Sequence, residues 1–162
     1  MRHPLFETAR GPNVKVVIGL GHPLRGDDAA GPTTIAQLRS RLNDTVRMLT
    51  LADPLRLLDY WGDAELVIVC DAVYSGALPG TLHRFEAHTV PLPTPVRSAV
   101  SSHGIGLAEV VELARQLGRL PRRLIIYGIE GRWFEPGRPL SPEVAAAIPH
   151  AVEAILQELH DA

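Results

Sequence analysis

The sequence predicts an α/β fold: a three-layer α/β/α sandwich around a mostly parallel five-stranded sheet with one antiparallel edge strand. Three observations carry that prediction. Near-continuous apolar runs at 14–20, 66–70 and 123–129 read as strands covered on both faces. Segments with helical spacing alternate with the strands, as in successive βαβ units. The run from Thr81 to Glu86 instead alternates apolar with polar residues, as an edge strand does.

The elements follow in order. The first strand spans 14–20 and breaks into a glycine-rich turn. A helix starts near Asp28 or Gly31 and runs to about Leu42, with Ile35, Leu38 and Leu42 at helical spacing. Asn43-Asp44 is turn chemistry, and Val46 to Leu51 is a second strand. Asp53-Pro54 reads as a helix cap followed by proline in the first turn, opening a short helix to about Trp61. Leu66 to Cys70 is the clearest buried strand and runs into Asp71. Residues 75–80 form a loop, Thr81 to Glu86 the antiparallel edge, and 87–97, with three prolines, an exposed connection. Ser101-Ser102-His103-Gly104 caps a helix from about Ile105 to Leu117. Arg123 to Ile129 is the last strand, followed by a Gly- and Pro-rich loop at 131–140. Ser141-Pro142-Glu143 opens the final helix, which Pro149 is expected to kink or split.

The 162 residues suffice for one core, so 14–162 reads as one domain behind a polar, frayed tail at 1–13. The composition, 46% hydrophobic and 21% charged, is that of an ordinary globular protein. A net charge of −2 gives no electrostatic footprint for nucleic acid or for an anionic membrane. No apolar run is long enough for a bilayer, and the tail lacks the apolar core of a signal peptide. Cys70 is the only cysteine, which excludes an internal disulfide and fits a reducing compartment. A cytoplasmic enzyme or binding domain is expected.

The chemistry concentrates at 14–31. A β-branched strand enters a turn at Gly19–Gly26 and meets two adjacent carboxylates, Asp27 and Asp28, before the helix. In open parallel sheets the strand-to-helix turns at the C-terminal edge hold the ligands. Asp28 follows the first strand, Asp71 the third, and His103 precedes a helix. Two carboxylates and an imidazole suit Zn, Ni, Mn or Fe with positions left open. The same trio suits general acid–base work without a metal. Taken singly, either aspartate of the pair reads as a helix cap, Asp71 as a ligand of loop amides, and His103 as a surface or capping residue. Gly19-Leu20-Gly21 lacks the third glycine of a dinucleotide fingerprint. Cys70 lies inside an apolar run, where thiols are inert, so a Cys70–His103 nucleophile pair is disfavoured. His22 reads as an exposed loop histidine and Glu130 as part of a turn, though both fall near the same edge.

These residues resemble the hydrogenase maturation proteases, endopeptidases specific for [NiFe] hydrogenase large subunits. The resemblance covers about 14–159 through ordered blocks: Gly19-Leu-Gly21-His-Pro-Leu24-Arg-Gly-Asp27-Asp28-Ala-Ala-Gly31, Asp71-Ala72 with Pro79-Gly80, Ser102-His103 ahead of Gly106-Leu107, Gly128-Ile129-Glu130, and Leu140-Ser141-Pro142. It implies removal of a C-terminal extension from the large-subunit precursor after nickel insertion. It implies nickel delivered by the substrate, zinc or cadmium acting as surrogates at the same site, and Asp28, Asp71 and His103 as the metal-contacting and catalytic residues. Gly21, His22, Asp27 and Glu130 are then expected against the substrate. The partner implied is the precursor, with no nucleic acid and no membrane insertion.

Two departures stand out. His22 replaces the family's usual asparagine, and Leu51-Ala-Asp53-Pro54-Leu55 replaces a glycine-rich segment, leaving Asp53 as a stand-in contact or a helix cap. Gly19-Leu-Gly21-His-Pro23 also resembles the start of bacterial peptidyl-tRNA hydrolases, but the Tyr and the Thr-Arg-His-Asn run of that family do not follow. A metal-binding chaperone that holds the precursor without cutting it is the non-enzymatic alternative.

Overall fold

The computed structural model describes residues 13–93 and 105–162, together with the backbone of 97–98. Residues 1–12 of the expected tail at 1–13 and the segment 101–104, His103 included, lie outside the described residues. In chain order the elements are β1 (Lys15–Leu20), α1 (Ala30–Arg39), β2 (Val46–Leu51), α2 (Leu57–Tyr60), β3 (Leu66–Tyr74), β4 (Leu82–Glu86), β5 (Arg97–Ser98), α3 (Leu107–Gln116), β6 (Arg123–Glu130) and α4 (Pro142–Asp161). Short 3-10 turns at Gly26–Ala29 and Pro54–Arg56 lead into α1 and α2.

The strands form one mixed sheet in the order β2-β1-β3-β6-β4. The first four are parallel, and β4 runs antiparallel along β6 at the edge, as its alternating pattern predicts. Side-chain alternation divides the core into two layers. On one face Val17, Ile68, Cys70 and Ile125 pack under α1 and α4. On the other, Val16, Ile18, Val67 and Val69 pack under α2 and α3, with Trp61 fully enclosed. Each fully buried Ile, Leu or Val on these strands contributes about 1.5–3 kcal/mol. Parallel strands covered on both faces therefore read as continuous apolar runs. Among the described residues no helix is long and apolar enough to cross a membrane.

Several boundaries differ from the sequence reading, each for a physical reason. β3 does not stop at Cys70. It runs through Asp71 to Tyr74, because β6 stays hydrogen-bonded beside it as far as Val73↔Glu130. Asp is a poor strand former, but the ladder overrides that local preference. β3 also extends past its last partner on β1, where Gly19 faces Cys70. Its overhanging end receives β5, a sixth strand of two residues that pairs antiparallel with Val73 and Tyr74. The connection after β4 is not wholly exposed either. Ala87 is buried in the α2/α3 layer and donates its N–H to Leu124 O at 2.8 Å. α1 ends at Arg39, three residues short of Leu42, where the amides of Arg41 and Leu42 both turn back to Leu38 O. α3 starts behind Gly106 in extended conformation rather than at Ile105.

Pro149 does not split α4, which continues for 20 residues. The proline lies on the exposed face, while Val144, Ile148, Val152 and Ile155 hold the helix to the sheet on both sides of it. Bends open toward solvent, so a missing hydrogen bond on the outer face is the cheapest kind to lose.

The topology fixes where a ligand meets the sheet. β1 and β3 are neighbours, yet the chain proceeds from β1 to β2 on one side and from β3 to β6 on the other. This reversal leaves a crevice outside their C-terminal ends.

The proline makes a direct test of the helix. Pro149→Ala is expected to raise the unfolding free energy by about 1–2 kcal/mol, because an exposed helical position regains its amide donor. Denaturant titration with an unchanged m-value is the measurement.

Candidate functional site

Glycines bring the first turn of α1 down onto the strand ends. A Cβ at Gly31 would overlap the Leu20 carbonyl oxygen and stand 2.7 Å from that of Cys70, so backbone meets backbone there. Gly21 has φ +135°, and a Cβ on it would overlap the Asp28 carbonyl oxygen. Only glycine adopts that conformation without strain and also leaves this space. Both contacts carry the turn Gly26–Ala29 across the ends of β1 and β3.

Asp28, in that turn, is 6% exposed. Its Oδ2 accepts a hydrogen bond from the His22 N–H at 2.6 Å, and Oδ1 accepts none from the described residues. Burial holds the carboxyl above the ordinary aspartate range of about 3.8. The His22 amide and the charges of Arg25 and His22 oppose that rise without overcoming it. A carboxylate kept at some cost in a cleft is a functional-site candidate. The His22 imidazole itself is exposed, and its Nδ1 accepts from the Leu24 N–H at 3.4 Å.

Asp71 is 3% exposed and stands in register with Gly128 of β6. Strand alternation puts it with Val67 and Val69 on the α2/α3 side. Asp28 and Asp71 thus occupy the same sheet edge, at the ends of neighbouring parallel strands. His103 lies outside the described residues; the described chain stops on one side at Ser98 of β5, paired to β3, and resumes on the other at Ile105, two residues before α3 begins. Among the described residues no three His, Cys, Asp or Glu side chains are grouped so as to hold a metal ion.

Two residues expected against the substrate have other work in this geometry. Asp27 is fully buried. Its carboxylate accepts from the N–H groups of Arg132 (2.7 Å), Trp133 (3.2 Å) and Ser141 (2.7 Å) and from the Ser141 hydroxyl (2.8 Å). Its own N–H donates to Trp133 O at 2.9 Å. Asp27 caps no helix of its own; it clamps the 131–141 loop and the start of α4 onto the turn that carries Asp28. Glu130, 1% exposed, ends β6 rather than following it. It accepts from the Ser75 N–H at 2.8 Å and from the Ser75 hydroxyl, and its Oε1 lies 3.3 Å from His83 Nε2. It therefore anchors the loop after β3.

The remaining alternatives resolve locally. Asp53 caps the 3-10 turn before α2, its side chain accepting from the Leu55 N–H at 3.0 Å. The Cys70 thiol is buried, lies 3.7 Å from Thr34 Oγ1, and is pushed up to about 12, so it stays a thiol at neutral pH. The clamp by Asp27 and the anchor by Glu130 were missed in the sequence. Their only signal was a carboxylate at each end of a loop rich in backbone donors.

A family model described as HycI, hydrogenase maturation protease, matches residues 44–158. The hydrogenase 2 maturation protease of Escherichia coli (strain K12) is 31% identical over 150 residues, covering 90% of each chain. The hydrogenase expression/formation protein HupD of Bradyrhizobium diazoefficiens is 31% identical over 148 residues, covering 89% of this chain and 77% of that one. Among solved structures, the hydrogenase maturating endopeptidase HybD from E. coli superposes with a TM-score of 0.76 at 30% identity, over 91% of this chain and 93% of that one. The [NiFe] hydrogenase maturation protease HybD from Thermococcus kodakarensis, at 24% identity, shares the fold with a TM-score of 0.68 over 90% and 98%.

The adjacent aspartates are expected to respond in opposite ways. Asp27→Ala strands four donors in a buried site and is expected to lower the unfolding free energy by about 2–4 kcal/mol. Asp28→Asn is expected to raise stability at pH 7. Because burial lifts the Asp28 pKa, its favourable contribution is present below the unfolded value of about 3.8 and is lost as pH rises through the folded value. Unfolding curves from pH 3 to 7 are the check: the advantage of the Asn variant grows with pH.

Proposed function

Because this chain belongs to the hydrogenase maturation protease family, we propose that it removes the C-terminal extension of a [NiFe] hydrogenase large-subunit precursor after nickel has been inserted. The observation that carries this reading is the placement of Asp28 and Asp71 on one edge, at the point where the sheet topology reverses. On this reading Asp28, Asp71 and His103 grip the nickel that the substrate brings. Two carboxylate oxygens and an imidazole nitrogen form a borderline-to-hard donor set, suited to a divalent metal that keeps its other ligands on the substrate. The open Oδ1 of Asp28 and the fixed Oδ2 fit that role, since one oxygen orients the carboxylate through the His22 amide while the other remains to bind.

The grip does two things for the chemistry. It holds the scissile peptide at the crevice, converting an encounter into a local reaction. It also places electron-withdrawing charge near a peptide carbonyl, which favours attack by water. The substrate's metal then serves as proof that insertion is complete, since a precursor without it offers the three side chains nothing to hold.

Intact-mass analysis tests the reading. The wild type is expected to shorten the nickel-loaded precursor and leave the nickel-free precursor whole. Asp28→Asn and Asp71→Asn are each expected to slow cleavage at least about 100-fold. Cleavage retained in a double substitution of Asp71 and His103 overturns the metal grip. Tight binding of the cognate precursor without any cleavage overturns the protease in favour of a chaperone.

A further inference from the structure

The loop that orients Asp28 also carries an arginine whose side chain makes no ion pair and no hydrogen bond with the described residues, its charge reaching only the Asp28 carboxyl. Two loops meet beside the crevice, 21–27 and 131–140. Backbone hydrogen bonds tie them: Gly26 N–H to Arg138 O (3.0 Å), Asp27 N–H to Trp133 O (2.9 Å) and Gly137 N–H to Leu24 O (2.8 Å). Three arginines sit on these loops. Arg132 pairs with Glu143 at 2.8 Å. Arg138 stacks on the Trp133 ring with its guanidinium carbon 3.9 Å from the centroid, and lies 3.6 Å from Glu135. Arg25 has neither. Its side chain is half-buried, and its Nε is sealed from solvent with no hydrogen-bond partner among the described residues. Buried donors are normally satisfied, so each orphan calls for a reason. A desolvated guanidinium N–H is costly to leave unpaired.

Position supplies a reason. Arg25 immediately precedes the turn Gly26–Ala29, and its carbonyl oxygen accepts the Asp28 N–H at 3.1 Å. It is therefore three residues from the carboxylate assigned to the substrate's metal, on a backbone fixed by the Asp27 clamp. Leu24, its neighbour, is 69% exposed, so this stretch of the loop reaches the surface, where a macromolecular substrate can meet it. We propose that Arg25 is a substrate-contacting residue whose guanidinium receives a negatively charged oxygen of the substrate beside the scissile bond. The inference rests on the protease reading above. Guanidinium geometry favours such an oxygen through the N–H donors of its two terminal nitrogens, which lie in a fixed plane and are not sealed as Nε is. The influence of Arg25 on the Asp28 carboxyl places its charge within electrostatic reach of the same site.

The oxygen has two sources. One is a side-chain carboxylate in the substrate segment, present before reaction. The other is the scissile carbonyl oxygen, which becomes negative when water adds to the carbonyl carbon, the C–O double bond opens to a single bond with its electron pair on oxygen, and the attacking water gives up a proton to solvent. The first contact acts on binding and the second on the chemical step, so kinetics separates them.

The experiment uses the full chain with nickel-loaded large-subunit precursor and compares the wild type with Arg25→Gln and Arg25→Lys, each checked for an unaltered melting temperature. Arg25→Gln is expected to lower kcat/KM by about 10- to 100-fold, with Arg25→Lys recovering part of the loss. A loss carried by KM and weakened further by salt identifies the carboxylate; a loss carried by kcat identifies the carbonyl oxygen. A kcat/KM for Arg25→Gln within about twofold of wild type, with folding intact, overturns the proposal. If the wild type binds the precursor but does not cut it, the protease reading fails, and the dissociation constant of that complex decides Arg25 by the same comparison. A wild type that neither binds nor cuts overturns both.

Discussion

The site depends on one buried carboxylate whose oxygens are taken up by a distant loop. Asp27 sits inside the molecule, with no ion pair among the described residues, held by three backbone amides and one hydroxyl. A buried charge of this kind is tolerable only when its oxygens are saturated. Saturation requires the 131–141 loop to lie against the turn after β1, so the electrostatic need of one residue fixes the path of two loops. Asp28 is the next residue in the chain and inherits that rigidity. Its own carboxylate is far less satisfied, taking one amide from His22. The pair divides the labour: one aspartate spends its acceptors on structure, and its neighbour has an acceptor that no described residue takes.

The same division recurs on the other side of the crevice. Glu130 spends its carboxylate on Ser75 and stands beside His83, which fixes the loop leaving β3. Asp71 precedes that loop on the same strand. Asp28 and Asp71 are thus each delivered by an element whose exit is pinned by a second, buried carboxylate. Stiff delivery matters for the proposed grip, in which the site accepts a metal with part of its coordination already filled and the donors cannot rely on rearranging around it.

Much of the fold was legible in the sequence because its signals are local. Val16 to Ile18, Leu66 to Cys70 and Leu124 to Ile126 are apolar on both faces, which only a covered parallel strand needs. On β4 the exposed Arg84 and Glu86 share one face and alternate with the half-buried His83 and Phe85, as suits a strand at the sheet edge. What the sequence did not disclose depends on partners far away in the chain. The continuation of β3 through Asp71 depends on β6 and β5. The continuity of α4 past Pro149 depends on packing against the sheet, not on helix propensity. In the candidate site, Asp28 and Asp71 were legible as strand-end carboxylates. The role of Asp27 was not, since its donors come from residues more than 100 positions away.

Cys70 gives the molecule a property useful to anyone who studies its motion. Its thiol lies in the core between α1 and the sheet, and burial holds it protonated far above neutral pH. Thiol-directed reagents attack the thiolate and need access to it, and here they have neither. The native chain is in effect a cysteine-free background. A single cysteine placed at Leu78 or Leu24, both strongly exposed on loops beside the crevice, would take a spectroscopic label alone. The arrival and departure of a substrate could then be followed from the rim, with no change to the core.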